Sequence, residues 1–280
     1  MDPTKFALAL LAAMGCVAAV TLLAAVATRK ASPERQASLM PLALAAGFVV
    51  GYLLLFEMPR KFFAELWQMP LLIAVLIGGA SVPAIAFPRK LVAGPIRLFL
   101  VVVCSLIAVG RSNFEHRWFT FALLVGTQVL MLLTLKPLAR SRITAGAVPL
   151  AFCLAAAASA FVVLYAIDQR LGQMLAIFSA AMGIAALLGL LRISETVVRG
   201  GVGFSAILLT ILCAIAVYYN EAVPLVVFPL LAAAPLVAIV GFLPALQNRK
   251  WWCLGVIAAF SAGVLAPAVV ITVWHAPSPF

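Results

Sequence analysis

The sequence predicts an all-α protein: a polytopic transmembrane helix bundle of about ten spans, with both termini outside the cytoplasm. Three observations predict it. The 280-residue chain is 66% hydrophobic and only 10% charged, against about a quarter charged in ordinary soluble domains. Its mean hydropathy of +1.21 leaves too little polar surface to coat a water-soluble globule. Apolar runs recur along the whole length, each long enough to cross a hydrocarbon core of roughly 30 Å as a helix. Finally, the Lys and Arg residues alternate in density from one gap between runs to the next. Helices are favoured over barrel strands because lipid offers the backbone no hydrogen-bond partners and the runs are about twice barrel-strand length.

The spans fall near 6–28, 39–56, 69–87, 92–110, 118–135, 144–167, 171–191, 202–219, 222–246 and 251–274. The first is too long for the apolar region of a secretion signal, and its stronger basic flank, Arg29-Lys30, follows the run, so it reads as a retained span. Ala13-Met14-Gly15-Cys16 lacks the Leu three before the Cys that a lipoprotein processing site usually has, and reads as chance. The second span carries Gly47 and Gly51, a GxxxG spacing that lets another backbone approach closely. Arg97 lies inside the fourth and is expected to snorkel to the interface. The fifth holds Gln128, with Thr127 and Thr134 nearby. The ninth is interrupted by Pro224, Pro229 and Pro235 and closed by Pro244. Pro229 and Pro235 are expected to break its ladder and free the carbonyls of Leu225 and Leu231. No tract is left for a soluble domain, so residues 1–280 form a single integral-membrane domain.

Charge orients the bundle. Arg29, Lys30, Arg35, Arg89, Lys90, Arg97, Lys136, Arg140, Arg142, Arg192, Arg199, Arg249 and Lys250 occupy the gaps after odd-numbered spans. The other side holds Lys5, Arg60, Lys61, Arg111, Arg117 and Arg170. With short loops, the positive-inside bias places the thirteen-base side in the cytoplasm. Only Glu34 and Glu195 accompany those bases, so the entire +11 surplus lies there, and the outer side is neutral. Such dispersed bases suit anionic lipid, at about 1 kcal/mol per residue, and do not form the single patch that nucleic acid requires. All five Trp fall at span ends, where an amphipathic ring prefers the headgroup level. The five Cys are odd in number and lie in or beside spans, giving neither a disulfide framework nor a metal-binding spacing.

Chemistry is sparse. No Asp, Glu, Lys or His falls in the middle of a span, which removes the usual carboxylate relay of an ion-coupled pump. There is no HExxH, and Gly200-Gly-Val-Gly203 lacks the strand–helix context of a nucleotide loop. No metal, cofactor or catalytic constellation is therefore expected. Gln128 is the strongest mid-span polar residue and reads first as glue between helices. The outer side is richer. Glu57, Arg111, Glu115, His116, Asp168, Tyr219, Asn220 and Glu221 are the candidates for a polar site there, with His116 and Glu221 as titratable members. Against this stands a plainer reading: Glu65, Glu115, Asp168 and Glu221 each precede an inward-running span, where a helix dipole favours an acid.

The stretch from Arg199 to Leu246, with Tyr218-Tyr-Asn-Glu-Ala-Val-Pro224 at its core, resembles uncharacterised multi-pass proteins of bacterial membranes over about a sixth of the chain. The resemblance implies a bacterial cytoplasmic-membrane protein and no particular activity. Ten spans in this length is similar to drug/metabolite-type carriers, but those are expected to keep both termini inside. Three functions follow as expectations. A permease or carrier for a small solute leads, on span number and the broken ninth span. A non-catalytic subunit that packs against other membrane proteins is the alternative. A lipid-processing enzyme using Glu115, His116 and Glu221 comes last, because no acid–base–nucleophile spacing supports it. The expected partners are membrane lipids and other membrane subunits.

Overall fold

The computed structural model describes residues 2–56, 65–86, 90–110, 117–140, 145–193, 195–220, 223–243 and 250–275. Among them every regular element is helical. The helices are α1 Pro3–Ala27, α2 Pro33–Ala37, α3 Met40–Leu55, α4 Met69–Ala86, α5 Lys90–Gly110, α6 Arg117–Arg140, α7 Ala147–Ala166, α8 Gln169–Leu190, α9 Glu195–Val198, α10 Val202–Tyr218, α11 Val227–Ala233 and α12 Lys250–His275. Short 3-10 turns at Leu66–Gln68, Arg199–Gly201 and Ala234–Phe242 lead into α4, lead into α10 and continue α11.

Among the described residues, seven helices are long and apolar enough to cross a membrane. They stand at predicted spans one, two, five, six, seven, eight and ten. Three shorter apolar segments, Leu66–Val82, Pro95–Gly110 and Val227–Val240, stand at the third, fourth and ninth. α10 is the axis of the bundle, with 78% of its most apolar stretch buried, whereas α1 buries only 22%. The remainder of α1 presents Leu11, Leu23 and Val26 outward, as a lipid-facing helix does.

Lipid tails are as apolar as leucine, so close packing and polar contacts, rather than water exclusion, join such helices. The contacts show it. A Cβ on Gly47 would meet Val17 Cγ2 at 2.4 Å and the Ala13 carbonyl oxygen at 2.9 Å; one on Gly51 would meet Ile177 Cγ2 at 2.7 Å and Ala13 Cβ at 3.2 Å. The GxxxG spacing is thus filled from within the chain, by α1 and α8. The same contacts make α1 and α3 antiparallel. α7 and α8 pair the same way, with a Cβ on Gly189 falling 2.8 Å from the Gly146 nitrogen. Two buried hydroxyls bond back into their own helices, Ser159 donating to the Ala155 carbonyl at 2.8 Å and Thr272 to the Ala268 carbonyl at 2.8 Å, which offsets the cost of placing them in an apolar interior.

This packing gives the bundle two ends. One, the N-terminal face, gathers the start of α1, the end of α3, the starts of α4 and α8, and the end of α10. The other, the basic face, carries Arg29, Lys30, Arg35, Arg97, Lys136, Arg192 and Arg199 among its described residues.

The ninth predicted span differs from expectation. Pro229 lies in the first turn of α11, where an N–H has no helical partner and the ring costs little; Pro235 falls where α11 tightens into the 3-10 segment. Nor is the Leu225 carbonyl freed: it accepts from the Phe228 N–H at 3.4 Å. The helix begins two residues before Pro229 and changes from α to 3-10 at Pro235.

Candidate functional site

Three features lie along the axis of the bundle: a plug on the N-terminal face, a polar triad, and a recess on the basic face.

The plug is built from four helix ends. Tyr52 and Phe56 close α3, with ring centres 5.0 Å apart. The 3-10 turn ahead of α4 brings Trp67 over them, 6.2 Å from Tyr52 in a stacked arrangement and 5.6 Å from Phe56. Arg170, in the first turn of α8, lays its guanidinium 4.9 Å from the centre of the Trp67 ring. Its Nη1 lies 3.8 Å from the Glu65 carboxylate, and Trp67 Nε1 donates to that same carboxylate. Tyr219, which caps α10, lies within electrostatic reach of Glu65, Asp168 and the Trp67 backbone. Tyr52 is buried and Phe56 and Trp67 are half-buried, while the Arg170 and Glu65 side chains are 56% exposed. The Tyr52 hydroxyl is fully buried with no hydrogen-bond partner, an arrangement that costs about 1–3 kcal/mol.

Of the residues expected on this face, the structure brings Asp168 and Tyr219 together and gives each a defined place. Asp168 caps α8, its Oδ1 accepting from the Leu171 N–H at 2.8 Å, as the helix-dipole reading expects. Asn220 closes a turn, its Oδ1 accepting from the Val223 N–H at 2.8 Å and its Nδ2 donating to the Val223 carbonyl. Glu57, Arg111, Glu115, His116 and Glu221 lie outside the described residues. Glu65 departs from the capping expectation: its side chain makes no cap bond and reaches across to Trp67 and Arg170. Sequence reasoning ranked Glu65 and Arg170 as helix-end charges and missed Trp67 and Tyr52 as members of the site. An Arg170–Trp67 contact joins residues about a hundred positions apart, and no spacing rule signals it.

Gln128 occupies the middle of the bundle, fully buried. Its Nε2 donates to Thr210 Oγ1 at 2.8 Å, and its Oε1 accepts from Ser105 Oγ at 3.4 Å. The Thr210 hydroxyl in turn donates a hydrogen bond to the Ala206 carbonyl at 2.8 Å. One side chain thus ties α5, α6 and α10 together through polar contacts.

Below the triad, a recess opens on the basic face. Its outer part, a cavity of about 240 Å³, is lined by Glu34, Arg97, Lys136, Thr196 and Arg199, together with Gly200 and Gly203. A second cavity of about 60 Å³ adjoins it, sharing Arg97, Leu132 and Gly203 and extending to Ile77, Leu100 and Ile207. Leu132 and Ile207 lie four and three residues from Gln128 and Thr210, about one helical turn or roughly 5 Å away. Glu195 and Arg199 form an ion pair at the rim. Among the described residues no three His, Cys, Asp or Glu side chains gather as a metal site, and all five cysteines are free thiols.

Fold and site together define a multi-pass, all-helical integral membrane protein. No protein-family model, curated protein or solved structure matches the chain.

Proposed function

We propose that the protein is a carrier for a small solute in a bacterial cytoplasmic membrane, crossing it ten times with both termini outside and the basic face in the cytoplasm. One observation carries the reading. Adjoining cavities on the basic face reach residues one turn from a buried polar triad, while aromatic rings and an ion pair pack together on the opposite face. That asymmetry suits one state of an alternating-access cycle, in which a midplane site is reached from one side at a time. Orientation is supported by the positive-inside rule. Crossing by the three shorter segments is supported by their positions between membrane-length neighbours.

The alternative, a packing subunit, draws less support because its motivating GxxxG face is already filled by α1 and α8. The enzyme reading depends on Glu115, His116 and Glu221, which lie outside the described residues.

Accessibility tests the carrier. With the native cysteines replaced, Leu132→Cys should react with a membrane-impermeant thiol reagent from the basic face. From the N-terminal face it should react slowly, and faster once Arg170→Ala loosens the plug. No labelling from either face would overturn the reading and favour the packing subunit.

A further inference from the structure

We infer that the rim of the recess is a binding site for a phosphate-class oxyanion, held by Arg97, Lys136 and Arg199. The inference rests on the carrier reading only for the use of the recess; binding itself requires no transport. Three cations from three separate segments, α5, α6 and the turn ahead of α10, line one volume. Like charges gathered at the edge of a low-dielectric interior repel, so their convergence on one volume favours a negatively charged occupant. Two carboxylates share the rim, Glu34 in the lining and Glu195 paired with Arg199, so positive charge remains in excess.

Shape agrees with charge. The cavity of about 240 Å³ far exceeds the ~10–15 Å³ that one water needs, leaving room for an oxyanion and part of its hydration shell. Gly200 and Gly203 line it, the Cβ position of Gly203 standing 3.7 Å from Leu132 Cδ2. Gly200 is also where α2 is clamped against the turn ahead of α10, a Cβ there falling 1.5 Å from the Ala37 carbonyl oxygen. Arginine presents a fork of donors that matches phosphate oxygens in pairs, and lysine adds a point charge. The phosphate can arrive on a free ion or ester, or as the headgroup of an anionic lipid lying at the same depth. Both offer the site the same group.

The test uses the full chain in phosphatidylcholine nanodiscs, with thermal unfolding as the readout. One arm titrates inorganic phosphate against chloride at matched ionic strength. The other replaces part of the lipid with phosphatidylglycerol. Stabilisation by phosphate identifies a free oxyanion, and stabilisation by phosphatidylglycerol alone identifies the headgroup; either supports the site. In Arg97→Gln and Lys136→Gln the apparent affinity should fall at least about tenfold, with Lys30→Gln, away from the lining, unchanged. Lys136→Arg keeps the charge and should retain binding, which guards against loss through misfolding. No response of the wild type in either arm would overturn the inference, as would equal loss in Lys30→Gln and Arg97→Gln. Labelling of Leu132→Cys is independent of these outcomes, so the carrier reading can stand if the anion site fails.

Discussion

The guanidinium carbon of Arg170 lies 4.9 Å from the centre of the Trp67 ring, and this contact joins the start of α8 to the turn ahead of α4. Arg170 also approaches Glu65, but both side chains there are 56% exposed. At such exposure an ion pair contributes about 0–1 kcal/mol, whereas a cation over a Trp face contributes about 0.5–1 kcal/mol and is less easily screened. Arg170→Ala should therefore cost about 1 kcal/mol in denaturant unfolding in micelles. A double-mutant cycle should place most of the coupling between residues 170 and 67. Coupling concentrated in the 170–65 pair would reverse that assignment.

The Gln128–Thr210 bond makes a sharper prediction. Thr210→Val preserves shape but strips Gln128 Nε2 of its acceptor, leaving a buried amide N–H₂ group unsatisfied at a cost of about 1–3 kcal/mol. Gln128→Leu removes that demand, leaving Thr210 bonded to the Ala206 carbonyl and losing only the long 3.4 Å contact from the Ser105 hydroxyl. The double variant Gln128→Leu/Thr210→Val should thus be more stable than Thr210→Val alone. Equilibrium unfolding of the three variants checks the order, and strict additivity would mean the bond carries no coupling.

How far these contacts were legible in the sequence depends on their range. Helix positions follow from apolar run length, a one-dimensional property, and each predicted span has a helix or shorter apolar helical segment at its place. Gly47 and Gly51 were readable as a close-approach face, and Asp168 as a helix-end acid, because both depend on neighbours within a turn or two. Gln128 was readable as buried, since a mid-span amide needs partners, but nothing local names Ser105 or Thr210. The recess was not legible at all: Arg97, Lys136 and Arg199 were counted as three of thirteen dispersed orienting charges. Their convergence follows from how α5, α6 and α10 pack, a tertiary fact. The prolines of the ninth span misled for a related reason. Their effect depends on where the helix starts, and α11 begins only at Val227.

The start of α1 responds to acid. Asp2 caps the helix, its Oδ1 accepting from the Thr4 N–H at 2.9 Å. The Thr4 hydroxyl and then the Thr4 backbone hold its carboxyl below the ordinary value of 3.8, with Lys5 adding in the same direction. A lowered folded pKa means the cap is fully present above 3.8 and is lost as pH falls through the lower, folded value. The Thr4 amide chemical shift should therefore titrate with a midpoint below 3.8. In Asp2→Asn it should be flat across the range. A midpoint above 3.8 in the wild type would contradict the cap.

Gly200 offers the most direct probe of the rim. A Cβ there would lie 1.5 Å from the Ala37 carbonyl oxygen and 2.5 Å from its carbonyl carbon. Both are backbone atoms, so no side-chain rotation relieves the clash and α2 must move away from the turn ahead of α10. Overpacking of this kind costs about 1–3 kcal/mol. The displacement also widens the gap between the Glu34 side of the recess and Arg199. Gly200→Ala should accordingly lower the unfolding midpoint and weaken the response to phosphate or phosphatidylglycerol. Gly79→Ala is the matched control, since a Cβ on Gly79 meets nothing within 4 Å and alanine favours a helix by about 1 kcal/mol over glycine. It should leave the midpoint unchanged or raised. Equal behaviour of the two variants would show that α2 does not pack against Gly200 in the membrane.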